Sequence, residues 1–174
     1  MIEVLFPDLA VNKVQDIDLD ILVKKNIKGL ILDIDNTLVA TETKEADSDT
    51  VSWLQTVRKT GLKACIVSNG SKKRVRTFVG KLNIFALHRA TKPSKKSFLA
   101  ASKLMGIKPE ETAVIGDQIF TDIYGGRKSN MYTILVKPIA KKEFFFVRLK
   151  RILEKPVLKR YYKKINQMNQ KMGF

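Results

Sequence analysis

The sequence predicts an α/β fold, with a parallel β-sheet flanked by helices. Three observations predict it. Short apolar runs alternate with stretches of helical periodicity across residues 17–136, as in repeated βαβ units. Crossover helices return the chain to the same end of the sheet, so the strands run parallel. Polar clusters at 33–37, 68–70 and 116–117 each follow an apolar run directly, at the strand ends where such sheets bind ligands.

Each element has a local reason. A short helix is expected over 17–25, leading into a first strand at 29–34, LILDI within GLILDI. Ser48 or Asp49 is suited to cap a helix through Lys59, closed by Gly61. The second strand is 62–67. Ser71 is suited to cap a helix over 72–82, with Val75, Phe78, Val79 and Leu82 on one face. A short third strand lies near 85–88. Ser94 starts a helix through Met105 that Gly106 stops. The fourth strand is 112–116, a loop and short helix run through Lys128, and the fifth strand is 131–136. The pair Gly125-Gly126 reads as a helix-end signal, and Pro138 breaks the chain after the last strand.

The chain has 174 residues, enough for one domain with a substantial core. The organisation expected is a single domain over 1–174, with a core of about 27–137, a helical amino-terminal extension over 1–26 and a basic helical carboxyl-terminal extension over 138–174. Cys65 is the single cysteine. It permits no intrachain disulfide, fits a reducing cytoplasm, and its apolar setting argues against a catalytic thiol. The start MIEVLFPDLA lacks a basic region before its short apolar stretch, so no leader is expected. No apolar run approaches the roughly 20 residues of a spanning helix.

Charge is the other strong signal. There are 33 Lys and Arg against 17 Asp and Glu, a net charge of +16. The segment 137–174 holds twelve Lys/Arg and two Asp/Glu, so it alone carries +10. A basic tail on a nearly ordinary body points to an anionic partner, either nucleic acid or a phospholipid surface.

The chemistry centres on LILDIDNTLV at 30–39. Asp33 and Asp35 are two apart and project to one side of a strand end. Paired carboxylates repel and are costly to desolvate, an expense that a bound cation and phosphoryl transfer would explain. Downstream come Ser68 in VSNG, Lys92 in TKP and GDQIFTD at 116–122.

These four pieces, in this order on an alternating α/β pattern, resemble the haloacid dehalogenase (HAD) phosphatase superfamily over residues 29–136. DIDNTLV, VSNG, KP and GDQIFTD, with LFPDLAV near the start, look like the YqeG-type branch of its class IIIA, which is similar to phosphatidylglycerophosphate phosphatases. The roles argued from chemistry agree with those the resemblance implies. Asp33 attacks phosphorus and forms an aspartyl-phosphate. Asp35 protonates the leaving oxygen and then accepts a proton from water. Mg2+ takes oxygens from Asp33, the Asp35 backbone and Asp117. Ser68, the Asn69 amide and Lys92 bind phosphoryl oxygens. Asp122 stands behind them, holding Lys92 or a metal-bound water, and Thr37 bonds within the turn after the first strand.

In this superfamily a cap domain usually sets specificity. Only 32 residues separate Asp35 from Ser68, and 22 separate Asn69 from Lys92. Those lengths are spent on helices and strands, so no cap is expected and the site is open. An open site suits a phosphomonoester on something large: a lipid in a bilayer, a protein or a nucleic-acid end. In the tail, Leu158, Tyr161, Tyr162, Ile165, Met168 and Met172 form a helical stripe with Lys159, Arg160, Lys163, Lys164 and Lys171 opposite. Together with Phe144 to Val147 it reads either as an interfacial membrane helix or as a helix covering the core. The expected function is Mg2+-dependent phosphomonoester hydrolysis, with phosphatidylglycerophosphate preferred, in the cytoplasm or peripherally at a membrane. The competing reading is a nucleic-acid or ribosome-associated protein with slight or polynucleotide 3′-phosphatase activity. Against it, the chain has no RNP-like aromatic motif and no helix-turn-helix signature.

Overall fold

Six parallel strands make one sheet in the order β1-β6-β5-β2-β3-β4 in the computed structural model, which describes residues 2–80, 82–140 and 145–172. The strands are β1 (Leu9–Val11), β2 (Gly29–Leu32), β3 (Lys63–Val67), β4 (Phe85–Leu87), β5 (Thr112–Gly116) and β6 (Tyr132–Val136). The helices are α1 (Leu19–Lys24), α2 (Ser48–Lys59), α3 (Lys72–Val79), α4 (Lys95–Met105), α5 (Tyr124–Lys128) and α6 (Phe145–Met172). From β2 the chain winds outward to β3 and β4, then returns to β5 on the other side. That reversal between β2 and β5 is the switch point where α/β sheets bind ligands.

Strand pleating divides the core between two faces. Leu30, Leu32, Ile66, Ile115 and Ile134 meet Leu22 of α1, Trp53, Leu54 and Val57 of α2, and Val75 and Phe78 of α3. Ile31, Cys65, Val67 and Val114 face the other way, onto Phe98, Ala101 and Met105 of α4. Every residue of β2 and β5 is buried, as continuous apolar runs in a central parallel strand require.

Helix ends follow local chemistry. Ser71 and Ser94 accept hydrogen bonds from the backbone N–H groups of Arg74 and Lys96, as expected of N-caps. Gly106 closes α4 in the left-handed conformation at φ 68°. For α2 the cap is Asp47 rather than Ser48 or Asp49, and its carboxylate accepts from Thr50 N–H at 2.8 Å. The third helix stops at Val79, three residues short of the expected end, with Gly80 at φ 42°.

The first 26 residues are not simply a helical extension. Leu9–Val11 add a strand at the sheet edge, in register with Ile134–Val136. Asp8 secures it by accepting from the Thr133 backbone and hydroxyl at 2.8 and 2.9 Å. Gly125 and Gly126 do not end a helix. They lie buried inside α5, where a Cβ at Gly125 would stand 2.3 Å from Phe98 Cε2. Their use is close helix packing.

The tail forms one helix, α6, with Pro156 inside it. Val157 and Tyr161 are buried against Phe6, Ile119, Ile123 and Leu135, with Leu158 and Ile165 packed alongside. That side of the stripe covers the core, while Tyr162 and Met168 stay exposed. Phe144 and the side chains of Phe145, Phe146, Lys171 and Met172 lie outside the described residues. Among the described residues, no helix is long and apolar enough to cross a membrane. Cys65 is buried and free; burial pushes its thiol up to about 12, so it is inert as a nucleophile.

Candidate active site

The carboxyl ends of β2, β3 and β5 deliver the motif residues to one place. Asp33 follows β2 directly, its N–H continuing the ladder to Ile115 O at 3.1 Å. Ser68 follows β3, Asp117 follows β5, and Lys92 arrives from the loop after β4. Asp33, Asp117 and Asp122 each bring a carboxylate oxygen within 4.8 Å of the others, and all three are buried.

Lys92 joins two of them. Its Nζ donates to Asp33 Oδ1 at 2.6 Å and to Asp122 Oδ1 at 2.7 Å, with only 4% of its side chain exposed. Asp122 Oδ2 accepts from Gln118 N–H and Thr121 hydroxyl, both at 3.2 Å. Asn69 positions the lysine: Lys92 N–H donates to Asn69 Oδ1 at 2.8 Å, and Asn69 Nδ2 donates back to Lys92 O at 3.5 Å. Ser68 Oγ accepts from Gly70 N–H at 3.0 Å, which leaves its own proton to donate.

The electrostatics suit a cation. Burial pushes Asp33 up to about 6 against the pull of Lys92, with Asp122 and Asp35 adding to the rise. Burial likewise pushes Asp117 up to about 8, Asp33 adding and Arg151 opposing. Burial alone would lower Lys92, but the charges of Asp122 and Asp33 outweigh it and hold the ammonium protonated. The donor set is all carboxylate oxygen, the hard chemistry that Mg2+ prefers. A divalent ion would offset the burial and the mutual repulsion that favour proton uptake at these acids.

Two sequence-derived expectations change in detail. Thr37 does bond in the turn through its backbone, N–H to Ile34 O at 3.2 Å. Its hydroxyl, however, reaches Asp117 Oδ1 at 3.4 Å. Asp35 is not one of the three clustered carboxylates; its Oδ1 accepts from Arg74 of α3, from Nε at 3.1 Å and Nη2 at 2.8 Å. Both bonds fall on one carboxylate oxygen, Oδ1. Asn36, at φ 64°, holds the segment after β6: its backbone O accepts from Ile139 N–H and its Oδ1 from Ala140 N–H, each at 3.2 Å. His88 is exposed.

Sequence reasoning missed three residues that complete the surroundings. Arg151 of α6 pairs with Asp117 and with Glu154 Oε2 at 3.1 Å. Glu154 is buried and accepts from Ile119 N–H at 2.7 Å, capping the π-helical turn Ile119–Ile123 that carries Asp122. Arg74 is the third. Glu154, the one acid between residues 144 and 174, is the one available signal.

Comparison with known proteins bears on this arrangement. The family model described as mitochondrial PGP phosphatase matches residues 2–140. The probable phosphatase YqeG of Bacillus subtilis is 38% identical over 152 residues, 87% of this chain and 88% of that protein. Phosphatidylglycerophosphate phosphatase 1, chloroplastic/mitochondrial, of Arabidopsis thaliana is 28% identical over 91% of this chain, which spans about half (48%) of that protein's length. Among solved structures, the cobalt-bound deoxy-D-mannose-octulosonate 8-phosphate phosphatase of Haemophilus influenzae aligns with a TM-score of 0.52 at 17% identity, covering 80% of this chain and 91% of that one. An uncharacterised Listeria monocytogenes protein aligns with a TM-score of 0.54 at 15% identity, covering 68% and 85%. At those identities the likeness is one of fold.

Proposed function

Because the chain belongs to the PGP phosphatase family and is a phosphatase of the HAD type, we propose that it is an Mg2+-dependent phosphomonoesterase working through an aspartyl-phosphate on Asp33. The preferred substrate is phosphatidylglycerophosphate, or another large or membrane-bound phosphomonoester. The observation that carries this reading is the buried triad of Asp33, Asp117 and Asp122 bound to Lys92.

Asp33 is the nucleophile because it alone follows β2 and faces both Lys92 and the other acids. Lys92 fixes its carboxylate and offers positive charge to the phosphoryl oxygens. Ser68 donates its hydroxyl, and the Asn69 N–H adds a backbone donor. Asp35 Oδ2 gives a proton to the leaving oxygen and later takes one from water, with Arg74 fixing the carboxylate's direction. Asp33 and Asp117, with the Asp35 backbone oxygen, would hold Mg2+, while Asp122 is engaged with Lys92. When bound, the ion supplies charge neutralisation between carboxylate and phosphate.

A large substrate is favoured by the short connections after β2 and β3, which leave no length for a cap. The membrane side of the proposal rests on α6. Leu149, Ile152 and Leu153 are exposed there at helical spacing, amid Lys150, Lys155 and Lys159. An apolar strip with flanking cations suits an anionic phospholipid surface, each basic residue being worth about 1 kcal/mol.

The test is phosphate release by purified protein with Mg2+ from phosphatidylglycerophosphate in mixed micelles, alongside nucleotide, polynucleotide 3′-phosphate and sugar monoesters. Lipid turnover is expected to dominate, and Asp33→Asn to abolish it with the circular dichroism unchanged. Activity surviving that substitution would remove Asp33 from the mechanism. Equal turnover of sugar phosphates without lipid turnover would remove only the substrate assignment.

A further inference from the structure

A cavity of about 330 Å³ lies beside the acidic cluster, beneath α6. Its apolar lining includes Ala10 in β1, Leu135 and Val136 at the end of β6, and Leu158 of α6. Asp117 and Arg151 form the wall it shares with the acidic centre. Lys137 and Lys155, both exposed, also line it and stand at its mouth.

The cavity falls within the range of small-molecule sites and most of its lining surface is apolar; besides Asp117, Arg151 and the two lysines, Glu154 lines it, paired with Arg151. Water gains little in such a space, because it finds few of the partners it needs. A sugar or nucleoside would leave its hydroxyls unpaired against Ala10, Leu135, Val136 and Leu158. An alkyl chain would not. Two cations at the mouth complement an anionic group carried next to that chain.

We propose that this cavity is the binding subsite for an alkyl chain of an amphiphilic phosphomonoester, with Lys137 and Lys155 reading a second anionic group between chain and scissile phosphate. The assignment rests on the phosphatase reading above and deepens it by naming what the protein recognises beyond the phosphate. The chain enters between α6 and the ends of β1 and β6. The phosphate then lies on the far side of Asp117, at Asp33. Specificity arises under the carboxyl-terminal helix, in a protein whose short motif connections provide no cap.

The experiment uses the full-length protein with Mg2+ and three soluble monoesters. They are dihexanoyl phosphatidylglycerophosphate below its micellar concentration, its deacylated counterpart, and glycerol 3-phosphate. Working below the micellar concentration removes any contribution from surface docking. The acylated compound is expected to exceed the deacylated one in kcat/KM by about tenfold or more, given the methylenes buried. The preference should rise from dibutanoyl to dioctanoyl chains. Leu158→Trp and Ala10→Phe, which fill the cavity, should remove that preference and leave the deacylated substrate within about twofold of wild type.

Equal use of acylated and deacylated substrates by wild type overturns the subsite, as does a parallel loss of both in the filled variants. Should neither variant fold, the wild-type chain-length series decides alone. A change in sedimentation on filling the cavity, without a change in substrate preference, would make it an interface between copies and overturn the proposal. If no monoester is hydrolysed, the phosphatase reading falls. Calorimetric binding of the dihexanoyl lipid to wild type and to Leu158→Trp then decides the cavity separately: heat lost in the variant upholds it, and no heat in either defeats it.

Discussion

Arg151 of α6 places its guanidinium on the Asp117 carboxylate, across 34 residues of chain. The same side chain donates to Glu154 Oε2 at 3.1 Å, and Glu154 in turn caps the turn that bears Asp122. The basic tail is thereby joined to the acidic centre by charge as well as by apolar packing. Arg151→Gln would leave Asp117 and Glu154 buried without their cation. Breaking such a pair from one side is expected to cost about 2–3 kcal/mol, somewhat below the fully buried case because 18% of the Arg151 side chain is exposed. Urea unfolding in chelator measures it. Added Mg2+ should recover more stability in the variant than in wild type, since the ion meets less competition at Asp117. A variant as stable as wild type in chelator would mean that the contact contributes nothing.

Lys92→Met keeps most of the length of the side chain and removes its charge. Asp33 and Asp122 would then face each other in a buried site with no ammonium between them. A loss of about 3–5 kcal/mol is expected, together with a fall in phosphate release of about a hundredfold or more. Adding Asp122→Asn should return part of the stability and none of the activity, because the repulsion is relieved while the charge on phosphate is not replaced. Denaturation and single-turnover assays on the single and double variants separate the two effects.

Gly116→Ala tests how closely the GDQIFTD segment, residues 116–122, is packed. A Cβ there would stand 2.3 Å from Asp122 Cγ and 2.4 Å from its Cβ, so Asp122 must move off Lys92. Destabilisation of about 1–3 kcal/mol is expected from overpacking, with loss of turnover. A crystal structure of the variant should show the Lys92–Asp122 bond broken while Lys92–Asp33 remains. Full activity in this variant would show that Asp122 can move without consequence.

What the sequence disclosed, and what it hid, follows from the range of the interactions. Asp33, Ser68, Lys92 and Asp117 were legible because each sits at a fixed offset from the end of an apolar run, and that offset is local. The buried strands β2, β3, β5 and β6 were legible for the same reason. β1 was not: three residues after Pro7 and Asp8 carry almost no periodicity, and their strand state comes from pairing with Ile134–Val136. Arg74 lies in the run KKRVR, where only the fold says which cation meets Asp35. In the sequence Arg151 reads only as tail charge, because its partner Asp117 is distant along the chain. The tail's stripe is legible as helical spacing from Leu158 to Ile165, but only packing against Phe6 and Ile119 tells its core side from its exposed side.

The raised carboxylates set the direction of a pH dependence. Folding lifts Asp117 to about 8 and Asp33 to about 6, against about 3.9 in an unfolded chain. Between those values the folded state holds protons that the unfolded state has released. Stability therefore falls as pH rises, from the unfolded value through about 6 for Asp33 and on to about 8 for Asp117. In chelator the melting temperature should decline across that window, and Asp117→Asn, which cannot ionise, should flatten its upper part. Mg2+ acts with the opposite sign, because it binds the deprotonated carboxylates and competes with protons. At a hundredfold excess over its dissociation constant it adds about 2.7 kcal/mol, and more of that is realised as pH rises. Differential scanning fluorimetry from pH 5 to 8.5, with chelator and with Mg2+, should give two curves that diverge upward in pH. Parallel curves would mean that the ion does not bind at these carboxylates.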